Sequence, residues 1–371
     1  MTLTDPKMYW VGLNLVKGIG SVRFKTLLDV FGNPEAAWNA SPEALIGVGL
    51  SQKIVESFQQ VRKGVSLDQI WDRIQSLGVE VLTWDDEGYP RHLKEIDQPP
   101  PILYVRGTLI PEDEWSVAIV GTRRVTTYGR QVAEEVATTL AQNGVTIISG
   151  LARGVDSIAH KAAIDAGGRT LAVLGNGVDI VYPPENRLLA AQIMEHGALV
   201  SDYALGTQPD GINFPPRNRI ISGLSMAVII VEAGLTSGAL ITATFAVEQG
   251  RDVFAVPGNI NAPQSQGTNR LIRDGAQPLL NPQDVLEALN LTMVTEHRAV
   301  RVALPADPIE ASLYQLLTHE PKHVDEIRSQ ANMPIETVSA TLAMMELKGM
   351  VRQVGGMNYV AVRERPEAYD V

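Results

Sequence analysis

Val117-Ala118-Ile119-Val120-Gly121-Thr122-Arg123-Arg124-Val125-Thr126-Thr127-Tyr128-Gly129-Arg130 is the stretch that decides how this chain reads. Four apolar residues make a strand-sized run, glycine breaks it, and a helix-length segment follows over 128–142. The unit then recurs. Apolar strands at 145–149, 171–174, 198–201, 227–231 and 253–256 alternate with helix-length segments such as 237–248. Strict alternation of this kind predicts an α/β fold: a Rossmann-like, doubly wound parallel sheet with crossover helices. The strand ends carry Gly121-Thr122-Arg123, Ser149-Gly150, Gly175-Asn176-Gly177, Ser201-Asp202, Glu232 and Pro257-Gly258. Small or polar residues at each of them predict a ligand crevice on the carboxyl edge of the sheet, where open α/β sheets bind ligands.

Outward from this block the pattern changes on both sides. Residues 1–78 read as a helical domain in which Lys17-Gly18-Ile19-Gly20-Ser21 and Ile46-Gly47-Val48-Gly49-Leu50 each join two helices. Such turns resemble helix-hairpin-helix or sterile-alpha-motif-like modules, although Gly-x-Gly between helices is also an ordinary helix end. The second domain spans 79–295. Its first part, 79–114, reads as a connector and edge extension: a strand at 79–84, then a stretch stiffened by Pro90 and by Pro99-Pro100-Pro101. A third domain, 303–364, begins after a proline-bearing linker. Its helices at 310–318, 324–331 and 335–348, a Gly349 cap and a ribbon around Gly355-Gly356 look winged-helix-like. The third helix is apolar, with Glu346 and only Lys348 basic, so a protein contact is as good a reading of this domain as DNA.

Composition bounds the chemistry. The 371 residues include no cysteine, which excludes disulfides, thiolate metal sites and cysteine nucleophiles and fits a reducing compartment. Six histidines are too scattered for a metal cage, and no metal is expected. The N-terminus lacks the basic start and apolar core of a signal peptide, and the longest apolar run, near 226–231, is strand-sized, so the expectation is a cytoplasmic protein with no membrane partner. The net charge of −11, at face value, argues against nucleic acid.

The residues at the strand ends qualify that argument. Gly121, Thr122 and Arg123 combine backbone donors, a helix N-terminus and a guanidinium, the elements of a phosphate cradle; a tight turn with solvated arginines is the plainer alternative. The Gly-x-Gly-x-x-Gly spacing and its acidic partner are missing, so no nicotinamide cofactor, and no cofactor of any kind, is expected. Ser149-Gly150-Leu151-Ala152-Arg153-Gly154-Val155-Asp156 is a second Gly-bearing turn into a helix. Asp156 and His160 stand one turn apart, which suits an acid-oriented base or a ligand pair. A helix cap beside a satisfied histidine is the preferred reading, because no third ligand or nucleophile is visible. Lys161 is the only lysine in 107–290. Phe214-Pro215-Pro216-Arg217-Asn218-Arg219 offers two phosphate forks and a ring on a proline-stiffened loop where a base could stack. Glu232, the Ser237-Gly238 turn and Gly267-Thr268-Asn269 complete the set.

Taken in order, Gly121-Thr122-Arg123, Ser149-Gly150 through His160, Tyr182-Pro183 with Asn186, Phe214 with Arg217-Asn218-Arg219, Ser237-Gly238 through Thr242, Pro257-Gly258 and Gly267-Thr268-Asn269 resemble the DNA-processing protein A (DprA/Smf) family across the whole α/β portion. The resemblance implies a non-catalytic protein that binds single-stranded DNA, protects incoming strands during natural transformation, homodimerises through the α/β domain and loads RecA recombinase. It implies phosphate contacts from Arg123, Lys161, Arg217 and Arg219 and base stacking on Phe214. Gly121, Thr122, Ser149, Gly150, Arg153, Gly154, Asn218, Ser237 and Gly238 would complete the phosphate site. Asp156, His160, Glu232, Gly267, Thr268 and Asn269 would shape the pocket. Thr122 and Ala239 stand where the family commonly has Ser, and Asp202 where it often has Glu.

Two other classes remain at this point. A nucleotide phosphoribohydrolase would use Glu232 with an arginine, but Gly234-Leu235-Thr236-Ser237-Gly238 only distantly echoes the glycine run expected beside its glutamate. A protein scaffold would use the terminal domains alone. Even the central domain is acidic, yet Arg123, Arg124, Arg153, Lys161, Arg217, Arg219 and Arg270 sit in or beside Gly-bearing motifs. The expectation is therefore a confined basic groove on an acidic body, suited to flexible strands.

Overall fold

The computed structural model describes residues 5–290, 308–317, 321–347, 351–354 and 356–361. Helices open the chain: α1 Lys7–Asn14, α2 Ser21–Phe31, α3 Pro34–Asn39, α4 Pro42–Gly47, α5 Gln52–Gly64 and α6 Leu67–Ser76. Then follow β1 Glu80–Thr83, α7 Arg91–Lys94 and β2 Ile102–Gly107. The alternating block comprises β3 Ser116–Val120, α8 Thr127–Gln142, β4 Thr146–Ser149, α9 Val155–Asp165, β5 Thr170–Val173, α10 Arg187–His196, β6 Gly197–Ser201, α11 Phe214–Leu224, β7 Ala227–Ile230, α12 Ala239–Glu248, β8 Asp252–Ala255, α13 Gln266–Arg273, β9 Gln277–Pro278 and α14 Pro282–Ala288.

These strands form one nine-stranded sheet in the order β1-β2-β6-β5-β4-β3-β7-β8-β9. From β6 to β9 every pairing is parallel, while β2 joins β6 and β1 joins β2 antiparallel. The doubly wound sheet is thus as the alternation foretold, and 79–114 supplies two strands at its edge, only one of which the sequence reading had marked. The strand order reverses beside β3, between β4 and β7, which is where such sheets open a crevice.

Neighbouring residues along a strand face opposite ways, and here both faces are covered. Ile102, Tyr104, Ala172, Leu174 and Leu199 enter one core with Trp10, Phe24, Trp38 and Phe58 of the first helices. Leu103, Val105, Leu171, Val173 and Val200 enter the other with Leu93, Ile220 and Ala243. Trp10 stacks on Phe24 at 4.9 Å, and Trp84 meets it edge-on at 6.1 Å. The expected boundary at 78–79 is therefore not a break in packing: helices α1 to α6 form one layer of a single compact unit, Met1–Thr292.

A second compact unit, Met293–Val371, contains α15 Pro308–Leu316, β10 Lys322–His323, α16 Val324–Ala331, α17 Ile335–Leu347, β11 Val351–Gln353 and β12 Asn358–Ala361. Its strands pair β10-β12-β11, all antiparallel, one strand more than the expected ribbon. Leu313, Ile327, Val338, Leu342 and Met345 fill its core, and Asn332 ends α16 in the left-handed region at φ 52°. The Gly349 cap, Gly355, Thr318, Lys348 and the stretch 362–364 lie outside the described residues. Among the described residues, no helix is long and apolar enough to cross a membrane.

Candidate functional site

An open cleft of about 720 Å³ lies at the carboxyl edge of the sheet. Its walls come from the loop after β3 (Gly121 to Arg124), from Ala152 and Asp156, from Tyr182, from the start of α11 and from the turn leading into α12. It therefore straddles the ends of β3 and β7, beside the reversal in strand order. A second hollow of about 200 Å³, lined by Tyr89, Pro90, Leu109 and Ile110 among others, touches none of the candidate site residues expected from sequence.

The first wall is held by a carboxylate. Glu232, at the end of β7 and 3% exposed, accepts from the Thr126 amide at 2.9 Å and from its hydroxyl at 2.5 Å, while its carbonyl accepts from the Thr122 amide at 2.8 Å. Thr126 in turn caps α8, accepting from the Gly129 amide at 3.1 Å. A Cβ at Gly129 would collide with the Glu232 carboxylate, so helix and acid meet only because that residue is glycine. The result is a pinned loop on which Arg123 and Arg124 are both exposed. Among the described residues neither forms an ion pair.

The second wall is the turn after β4. Ser149 donates to the Ile119 carbonyl at 2.6 Å, locking β4 to β3. Gly154, at φ 77°, packs so closely on the Thr122–Arg123 backbone that any side chain would strike it. Asn186 secures the turn from outside, donating to the Leu151 carbonyl and to Ser157, both at 2.9 Å. Asp156 is buried and accepts from the Gly150 and Ala152 amides at 3.1 and 3.3 Å. Burial pushes its carboxyl above the ordinary range, against the pull of Arg217 and those amides.

Arg217 is the residue whose setting differs most from the open fork foreseen. It is 5% exposed, and it donates to the Gly150 carbonyl at 3.1 Å and to the Val173 carbonyl. A Cβ at Gly150 would lie 2.8 Å from both Arg217 and Asp156, which places the two groups side by side under the cleft floor. Desolvation pulls the guanidinium down to about 10, opposed by Asp156. The physical reason is helical register. The string Phe214-Pro215-Pro216 is the first turn of α11 rather than a loop, with proline where a helix tolerates it. Arg217 then shares a face with the buried Ile220, Ile221 and Leu224.

Arg219 leaves the cleft altogether, pairing with Asp202 at 2.8 Å and donating to the Gln98 carbonyl at 2.6 Å. Burial raises the Asp202 carboxyl, with Arg219 opposing. Lys161 pairs with Asp165 one turn along α9, and Arg153 pairs with Glu185. His160 is fully buried, with Nδ1 2.6 Å from the Thr170 hydroxyl; burial first and Arg217 second push it down to about 3, so it is neutral. It does not bond Asp156. Gly267 donates to the Ala233 carbonyl at 2.8 Å, Thr268 to the Ser265 carbonyl at 3.1 Å, and Asn269 grips both polar groups of Gly258. These tie together the loops after β7 and β8.

The cleft thus gathers Gly121, Thr122, Arg123, Asp156, Phe214, Arg217, Asn218, Ser237 and Gly238. Ser149, Gly150, Arg153, Gly154, Lys161, Arg219, His160, Glu232, Gly267, Thr268 and Asn269 stand behind or beside it. Sequence reasoning gave no role to Thr126, counted Arg124 only among the cations of the expected groove, and used Tyr182 only as part of the family resemblance. Thr126 carried a usable signal, a hydroxyl directly before a helix. Phe214 stacks on Tyr182 at 5.7 Å and 26°, with the guanidinium carbons of Arg123 and Arg217 each 5.9 Å from its centroid. Exposed cations, an aromatic pair and the start of α12 around one open trough can hold an extended polyanion bearing flat rings.

Comparison with known proteins points the same way. A family model described as DNA recombination-mediator protein A matches residues 80–290, and one described as DprA winged helix domain matches residues 297–357. Protein Smf of Synechocystis sp. is 37% identical over 388 residues, covering 95% of this chain and 98% of its own. The structure of DNA processing protein A from Streptococcus pneumoniae superposes with a TM-score of 0.67 at 33% identity, over 77% of this chain and 98% of its own. That of DNA processing protein A from Helicobacter pylori, described for its single-stranded DNA binding mode, gives 0.52 at 34% identity, over 57% and 95%.

Proposed function

The chain belongs to the DNA recombination-mediator protein A (DprA/Smf) family, and on that premise we propose that it binds single-stranded DNA in the cleft at the ends of β3 and β7. The observation that carries this reading is the pinned loop presenting Arg123 and Arg124, both exposed and outside any ion pair among the described residues, into an open trough. The single-stranded DNA binding mode for which the Helicobacter pylori relative is described supports it. A trough open to solvent suits a threaded strand better than a rigid duplex laid across an acidic surface.

In this reading the role is non-catalytic and cytoplasmic. Glu232, the residue a phosphoribohydrolase would need, has both carboxylate oxygens occupied by Thr126 and does not line the cleft. The chain further acts as a homodimer through its α/β unit, protects incoming strands and loads RecA. Fluorescence anisotropy over a salt series tests the core of it. Binding to a single-stranded oligonucleotide should exceed binding to the duplex and fall linearly in log–log form with salt. Salt-insensitive binding, or preference for duplex, would overturn it. Loading is checked by whether the protein removes the lag in RecA ATP hydrolysis on strands precoated with a single-strand-binding protein.

A further inference from the structure

We propose that the face of Tyr182 turned away from Phe214 is a nucleobase subsite, an inference that rests on the single-strand reading of the cleft and adds to it where a base is read. Phe214, the ring that sequence singled out, is not free to serve. It is half-buried, Tyr182 stacks on it at 5.7 Å, and two guanidinium carbons stand 5.9 Å from its centroid. Its edge also presses on the backbone at Gly175, where an added Cβ would lie 2.7 Å from the ring. Tyr182, by contrast, lines the cleft and is 38% exposed. It is the outer ring of a stack whose inner ring, Phe214, is the first residue of helix α11.

This is the arrangement that base stacking requires: a flat, pre-ordered ring at the rim of a cationic trough. Stacking on the inner ring, Phe214, restrains the plane of Tyr182, so less side-chain freedom remains to be lost when a base settles on it. Its hydroxyl keeps the ring tolerable in water when the strand is absent. Arg123, close to the inner ring and exposed, stands where it can meet a phosphate of the same strand. Because every base offers a π-face, the subsite tolerates any sequence.

The test compares a dT oligomer with an abasic oligomer of equal length, using the full chain. Tyr182→Ala should weaken dT binding about tenfold and leave the abasic strand unaffected, and Tyr182→Phe should restore the loss. Equal losses on both strands, or no loss on either, would overturn the subsite. Should Tyr182→Ala fail to fold, Tyr182→Trp takes its place: its indole emission should be quenched by the dT strand and not by the abasic one, and absence of quenching counts against the proposal. Wild-type protein that binds neither strand sinks the single-strand reading and the subsite together. Wild-type protein that binds both equally sinks the subsite alone.

Discussion

Arg123 and Arg217 lie equally far from the Phe214 ring, yet they belong to different physical regimes. The loop after β3 holds its arginine in water by fastening the backbone beneath it. The first turns of α11 bury theirs and use it to hold two carbonyls beside Asp156. One cation is available to a ligand; the other is a brace. A basic residue in a glycine-rich motif thus says little until the direction of its side chain is known.

The sharpest way to break this contrast is stability. Arg217→Ala leaves buried carbonyls and Asp156 uncompensated and should lower unfolding free energy by about 3–5 kcal/mol in a urea titration. A fold of unchanged midpoint would return Arg217 to the role of an open phosphate fork. The carboxylate that pins the loop comes next. Glu232→Ala should remove about 1–3 kcal/mol and weaken strand binding with it, because Thr126 loses its acceptor and the arginine loop its anchor. Binding that survives at full strength would show the loop is rigid without it.

Protonation offers a third test. His160 falls from its usual value to about 3 through burial, so between about pH 6.5 and 3 the unfolded chain takes up a proton that the folded one refuses. Stability from this group is complete above pH 6.5 and declines as the pH drops, by about 2 kcal/mol between pH 7 and 5. His160→Asn should flatten that slope relative to wild type, and parallel slopes would contradict the assignment. Arg123→Ala with Arg124→Ala should leave the unfolding midpoint alone, weaken strand binding, and shrink the salt slope by about one per lost phosphate contact. The smallest effect belongs to Lys161→Ala, which breaks an exposed one-turn pair and should shift stability by no more than about 0.5 kcal/mol.

Much of this was legible in the chain. Strands β3 to β8 follow from runs of apolar residues ending in glycine, a hydroxyl, Glu232 or Pro257-Gly258, and the crevice follows from where those endings fall. The direction of individual side chains was not. Phe214-Pro215-Pro216 reads equally as a stiff loop or a helix start, and only the second choice turns Arg217 inward. Strand β2 was hidden because Pro99-Pro100-Pro101 stands directly before it, and β9 because two residues are too few for a pattern. The pairing of Arg219 with Asp202 and Gln98 joins segments far apart in sequence, which no local spacing can announce.

The shared core of the opening helices and the sheet also governs how this molecule can be taken apart. Cutting before β1 would uncover Tyr104 and Leu199, both fully buried, along with the smaller apolar side chains around them, leaving an adhesive surface of the kind that drives aggregation. Separation after the sheet is different, because among the described residues the sheet unit and the C-terminal unit each close around their own apolar residues. For dissection, the seam between the two compact units therefore lies after the sheet rather than before it.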